Sequence, residues 1–176
     1  MRWVLIIGGV LAGLIVLVVV VGMLRPKGHV ASTRARFTHS PDELWATLTD
    51  FEHWSEWNPE VKSVQRLPEQ NGRTMLDVVG SWGAAATELT VWDPPRRLET
   101  QMNAGGFRGA WTYDLAPAPG GGTILTVTER GEVDNPLFRA MMIFHDNHAT
   151  MIGFHHALAA RFGESVEPVK LETAGG

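Results

Sequence analysis

The sequence predicts an α+β domain behind a membrane-spanning segment, with a seven-stranded antiparallel sheet covered by a long C-terminal helix. Three observations carry this. Between residues 61 and 131 lie six short runs rich in β-branched and aromatic residues, divided by turn signals. Residues 135–163 read as one amphipathic helix. Residues 3–24 carry no charged side chain.

At about 1.5 Å rise per residue, 3–24 can cross a hydrocarbon core of roughly 30 Å. The alternative is a cleaved signal peptide, but signal h-regions run only about 7–15 residues. Arg25-Pro26-Lys27 also reads as a stop rather than a small-residue cleavage site. The expectation is a single-pass membrane anchor over 1–27, with the membrane as a partner of Trp3 to Leu24. Gly9 and Gly13 have the GxxxG spacing of helix dimers, taken here as chance. Arg25, Lys27, Arg34 and Arg36 outweigh Arg2, so the positive-inside bias leans towards a cytoplasmic domain.

The domain is expected over 28–163. Residues 30–38 alternate as a first strand, with Ala31, Thr33, Ala35 and Phe37 on one face. Ser40-Pro41-Asp42-Glu43 is a capping box with proline at the first helical position, so a helix starts there and carries Leu44, Trp45 and Leu48 inward. Phe51, Trp54 and Trp57 recur every three residues, which suits a short helical turn with an aromatic face. Pro59 ends it. A ligand-stacking or membrane-interface patch is the alternative for these tryptophans.

The six runs that follow are 61–67, 73–79, 86–93, 97–102, 109–116 and 123–129. Asn71-Gly72, Pro94-Pro95, Gly105-Gly106 and Gly120-Gly121-Gly122 separate them, which predicts a meander joined at its edge by the first strand. In the last helix Asn135 caps, Pro136 starts and Gly163 stops. Its stripe is Leu137, Met141, Phe144, His148, Met151, His155, Leu158 and Phe162. Gly153 in its middle costs about 1 kcal/mol relative to alanine, which suggests a close backbone approach there. The polar tail 164–176 is expected to be disordered.

The absence of cysteine excludes disulfides, thiolate metal sites and a cysteine nucleophile. Net charge is −4, and more negative still without Arg2, Arg25 and Lys27 of the N-terminal segment, which argues against a nucleic-acid partner. No P-loop, dinucleotide fingerprint or Ser-His-Asp order is present, and no cofactor is expected.

Several stretches together resemble a known superfamily. They are Ser40-Pro41-Asp42-Glu43-Leu44-Trp45, the block Phe51, Trp54, Trp57-Asn58-Pro59, the turn Asp93-Pro94-Pro95-Arg96-Arg97-Leu98, Trp111-Thr112-Tyr113-Asp114-Leu115, and Thr123 with Thr126-Val127-Thr128. With the element order, they make 30–162 similar to the START-like (SRPBCC) superfamily, which includes birch-pollen-allergen-like proteins and the polyketide cyclase/dehydrase group. The resemblance implies a helix-grip fold, in which a curved sheet wraps around the long C-terminal helix. It also implies a cavity between them for a small hydrophobic ligand. Superfamily members range from carriers to cyclases, so fold alone does not choose between them.

Candidate site residues follow from the two patterns. His148 and His155 interrupt the apolar stripe and are candidates for a polar handle or a general acid/base. They lie about 10 Å apart along the helix, too far to share one metal. Glu129 and Glu88 are candidate assisting carboxylates if their strand faces are concave, where burial raises a carboxyl pKa. The ligand-binding set is Phe144, His148, Met151, His155, Trp111 and Tyr113. Each histidine has an alternative as a core residue bonded to the sheet, and each glutamate as one half of a rim ion pair. A metal at His145 and His148 would need a third ligand and lacks a recognisable signature, so none is expected. His156 is expected to flank the core. The leading expectation is a membrane-tethered binder of a small lipid-, polyketide- or quinone-like ligand. The alternatives are a cyclase/dehydrase-type enzyme using a pocket histidine, and a protein-interaction module.

Overall fold

A computed structural model of the 176-residue chain describes residues 2–104, 107–141 and 146–172. The first element, α1 (Arg2–Leu24), holds Ile6–Leu24, a span long and apolar enough to cross a membrane. Most of its described apolar side chains are exposed, Ile6, Leu11 and Ile15 among them.

β1 (Gly28–Phe37) follows, with Ala31, Thr33, Ala35 and Phe37 buried on one face. α2 (Pro41–Thr49) begins at the capping box: Ser40 Oγ accepts from the Glu43 backbone, and the Glu43 carboxylate accepts from the Ser40 backbone at 2.8 Å. A 3-10 turn (Phe51–His53) and α3 (Trp54–Trp57) complete the helical insert. Trp54 donates its indole N–H to the Leu48 carbonyl at 3.1 Å, and Trp45 stacks edge-on against Trp92, 5.2 Å between ring centroids. The aromatic block therefore packs between helices and sheet.

The meander is β2 (Val61–Gln70), β3 (Arg73–Gly80), β4 (Gly83–Asp93), β5 (Arg97–Ala104), β6 (Phe107–Pro117) and β7 (Thr123–Val133). β1 pairs with β7, so the first strand joins the edge of the meander. The sheet has eight strands rather than seven, in the order β2-β3-β4-β5-β6-β7-β1-β8. The extra strand, β8 (Val169–Leu171), pairs antiparallel with β1 and covers part of its open edge. It comes from the stretch expected to be a disordered tail. Two anchors explain this: Val166 is buried, and Glu164 accepts from Thr38 Oγ1 at 2.7 Å. Neither residue shows in a window that reads only as polar. Residues 173–176 lie outside the described residues.

The C-terminal helix is also corrected. It is two helices, α4 (Pro136–Met141) and α5 (Ala149–Arg161). Between them Asp146 folds back on the chain: its Oδ1 accepts the His148 backbone N–H at 3.0 Å, and its Oδ2 accepts from Lys170 Nζ at 2.8 Å. A short polar side chain that satisfies the free N–H groups of a helix start favours a new helix there over continuation. Lys170 first, and then the His148 N–H, hold the Asp146 carboxyl down at about 2. Asn135 caps α4, accepting the Leu137 N–H at 2.9 Å, and Gly163 ends α5 with a φ of 69°. Only α5 lies in the grip of the sheet, with Met151, His155 and Leu158 fully buried. α4 packs instead beside the end of α1, where a Cβ on Gly22 would overlap the Pro136 carbonyl.

Candidate functional site

α5 presents two buried faces with different work. Met151, His155 and Leu158 face β1 and close the core. Asn147, just ahead of the helix, and Thr150 and Phe154 on it face a cavity of about 340 Å³ between α5 and the sheet. That size falls at the lower end of ligand pockets, roughly 300–1,000 Å³. The wall is mostly apolar: Leu76, Val78, Trp54, Trp111, Phe107 and Phe154 contribute to it. Phe154 sits at the centre of the aromatic lining, its ring 5.4 Å from Tyr113, 5.6 Å from Trp57 and 6.3 Å from Trp111.

The cavity opens at one end of the sheet. Thr87, Thr100 and Tyr113 are buried at its inner part, whereas Trp82 and Glu60 on its rim are exposed. That rim holds the β3–β4 hairpin, the end of β5, the start of β6, the end of β7 and the start of β1. It is therefore the end next to α1, since Lys27 accepts from the Val133 N–H at 2.9 Å.

Three polar groups meet on the β1–β7–β6 side. The register pairs Glu129 with both Ala31 and Trp111, and His29 with Gly131, all on the concave face. His29 Nε2 lies 3.6 Å from Glu129 Oε1, with both side chains mostly buried. Burial, and then the nearby Glu129 carboxylate, push the Tyr113 phenol above its ordinary value. The phenol therefore stays a hydrogen-bond donor at any physiological pH.

Glycines make room for the rings here. A Cβ on Gly131 would overlap the His29 imidazole and stand 3.0 Å from the Phe107 ring. A Cβ on Gly109 would stand 2.7 Å from Phe107. These two glycines are register partners, so they form a floor on which both rings lie.

Of the candidates read from sequence, Trp111, Tyr113 and Glu129 line the cavity. His155 does not. It is fully buried and its Nε2 lies 3.1 Å from Thr33 Oγ1, while its Nδ1 has no partner among the described residues. Met151 is fully buried beside it in the core. Of the stripe, Met151, His155 and Leu158 are buried as expected, whereas Leu137 and Met141 are exposed; the buried part meets strand β1, and the cavity takes the neighbouring face. His148 stands in the turn before α5, its Nδ1 3.3 Å from Asp146 Oδ1. Glu88 points to the convex face and pairs with Arg73, because Ala85, Thr87 and Leu89 take the inward positions. A register shift follows between Leu89 and Val91, and beyond it Trp92 meets Trp45 and Phe51 while staying half exposed.

Phe144 and His145 lie outside the described residues. His156 is exposed, and a Cβ on Gly153 would meet nothing within 4 Å, so no close approach needs that glycine. Among the described residues no three His, Asp or Glu side chains gather as a metal site. His29, Trp54 and Phe154 were missed as lining residues. The first was legible as the next inward position before Ala31, and the last as part of a second 147, 150, 154 spacing.

Residues 29–162 match the family model described as polyketide cyclase / dehydrase and lipid transport. The structure is similar to a START superfamily protein from Mycobacterium smegmatis, at 22% identity and a TM-score of 0.57, covering 76% of this chain and 96% of that one. It is similar to the Zhui aromatase/cyclase from Streptomyces sp. R1128, at 12% identity and a TM-score of 0.65, covering 76% and 93%. It is also similar to norcoclaurine synthase from Thalictrum flavum, at 14% identity and a TM-score of 0.61, covering 78% and 87%. At these identities the likeness is one of fold. No curated protein matches the chain.

Proposed function

The chain belongs to the polyketide cyclase / dehydrase and lipid transport family, and we propose that it binds one small apolar molecule bearing a polar group, with α1 tethering the cavity to a membrane. The carrying observation is the wall where Tyr113, Glu129 and His29 converge in an otherwise apolar cavity. Apolar lining supplies affinity by burial, at roughly 25 cal/mol per Å² removed from water. A few fixed polar groups supply orientation. Tyr113 donates to a ligand oxygen, and Glu129, braced by His29, accepts from a hydroxyl. The tether suits a lipid-soluble ligand, since it holds the mouth close to the phase that supplies it.

The test is titration of delipidated full-length protein with lipids and quinone-like aromatics, read by tryptophan fluorescence from Trp54 and Trp111. Saturable binding of at least one apolar class, weakened by Trp111→Ala, is expected. Flat titrations across all classes would sink this reading.

The same wall favours a second reading, a cyclase-type enzyme in which Glu129 takes a proton and Tyr113 polarises a carbonyl. It replaces His148 and His155, which stand away from the cavity. It predicts that Glu129→Gln removes turnover of a bound ligand while leaving affinity and melting temperature nearly intact. Binding without chemical change in both the parent and the variant supports the carrier.

A further inference from the structure

α4 is buried the wrong way round for water. Its apolar residues Leu137, Phe138 and Met141 are 45%, 52% and 61% exposed, whereas Arg139 between them is 9% exposed. A helix that turns its apolar face outward and a cation inward fits an apolar exterior. α4 packs on the end of α1, so that exterior is the bilayer α1 would cross.

Beneath α4 is a cleft of about 200 Å³, where Arg25, Lys27 and Arg139 meet His29, Val133 and Asn147. The last three residues also line the apolar cavity, so the cleft and the cavity adjoin across them. Lys27 reaches Asp134 at 3.9 Å, and Asp134 also serves Arg108 at 3.6 Å. Among the described residues, neither Arg25 nor Arg139 has an ion-pair partner, and Arg139 Nε is buried without any hydrogen-bond partner. A buried guanidinium without a carboxylate is costly unless an anion completes it.

We propose that this cleft holds the anionic head of a single-chain amphiphile drawn from the bilayer, while its apolar chain lies in the cavity. Arg139 supplies planar donors for a phosphate or carboxylate, and Arg25 adds charge at the membrane surface. A cavity of about 340 Å³ has room for one chain or ring system, which selects single-chain amphiphiles over diacyl lipids. This rests on the cavity being an apolar ligand site.

The experiment uses full-length protein in nanodiscs in a Trp3→Phe background, so that quenching by brominated chains reports the cavity and not the exposed Trp3 of α1. Three probes share one brominated chain: lysophosphatidylglycerol, lysophosphatidylcholine and monoacylglycerol. The first is expected to bind about ten-fold tighter than the other two, the worth of one charge-assisted contact. Arg139→Gln should abolish that preference and leave monoacylglycerol binding unchanged. Arg25→Gln, at an exposed position, should reduce the preference and its salt dependence even if the buried substitution disturbs folding.

Equal binding of all three probes in the parent overturns the headgroup inference and leaves the apolar cavity standing. Failure of every probe to quench overturns both. Inorganic phosphate competing as tightly as the lysolipid would make this a free-anion site and also overturn the proposal.

Discussion

His155 Nε2 and Thr33 Oγ1 lie 3.1 Å apart, each side chain fully buried between α5 and β1. This pair ties the helix to the first strand. Burial holds the imidazole neutral, with its pKa lowered from 6.5 to about 4. The unfolded chain takes up the proton first as pH falls. The contribution to stability is therefore complete above pH about 6.5 and lost on the way down to pH about 4, on the order of 3 kcal/mol at most. Denaturant unfolding across this window should show that slope in the parent and a shallower one in His155→Met. An equal slope in both would place the imidazole in water.

Tyr113 is the single tyrosine of the chain, so its ionisation can be followed by ultraviolet absorbance without overlap from another phenol. Its pKa lies above the ordinary value through burial and then through Glu129. Glu129→Gln removes a negative charge and should lower it. A titration midpoint unmoved by the substitution would mean that the two groups do not share a wall.

Gly131→Ala should push the His29 and Phe107 rings off their floor, since its Cβ overlaps the first and crowds the second. The expected result is roughly ten-fold weaker ligand binding, of the order of one lost polar contact. The loss in stability should be small, because both rings lie near the rim. Full affinity in Gly131→Ala would show that His29 plays no part in the site.

These residues also mark what could be read from the chain itself. Alternation gave the inward face of β1, because a half-buried strand has a strict period of two. It did not decide the face of Glu88, because β4 mixes small, polar and apolar residues at both phases and only the burial of Ala85 and Thr87 fixes the odd-numbered positions as inward. The part of the stripe on α5 was legible as buried, since helical spacing reports burial, whereas Leu137 and Met141 on α4 are exposed. Helical spacing does not report whether the neighbour is a strand or a void, so the cavity-facing Asn147, Thr150 and Phe154 went unread. The break at Asp146 depends on Lys170 arriving from β8, a long-range contact invisible to a local window. The polar wall itself needed the register of three strands at once; Glu129 stood within a run read as a strand, whereas His29 lies just before the 30–38 run, in a strand that starts at Gly28.

Gly153 lies in the interior of α5 with open space where a Cβ would go. Gly153→Ala should therefore stabilise the domain by up to about 1 kcal/mol, chiefly by restricting the unfolded chain. Thermal unfolding of the two proteins checks this. A loss of stability would mean that something packs on that face of α5.

The most direct test of a ligand-holding cavity is native mass spectrometry of the full-length protein released from mild detergent, compared with Thr100→Phe. Thr100 lines the cavity and is 7% exposed, so a phenyl ring there fills space that a ligand would need. The account predicts one added apolar molecule per parent chain and none on the variant, with both folded by circular dichroism. An identical adduct on both proteins, or a parent that takes up nothing when apolar ligands are supplied, would contradict it.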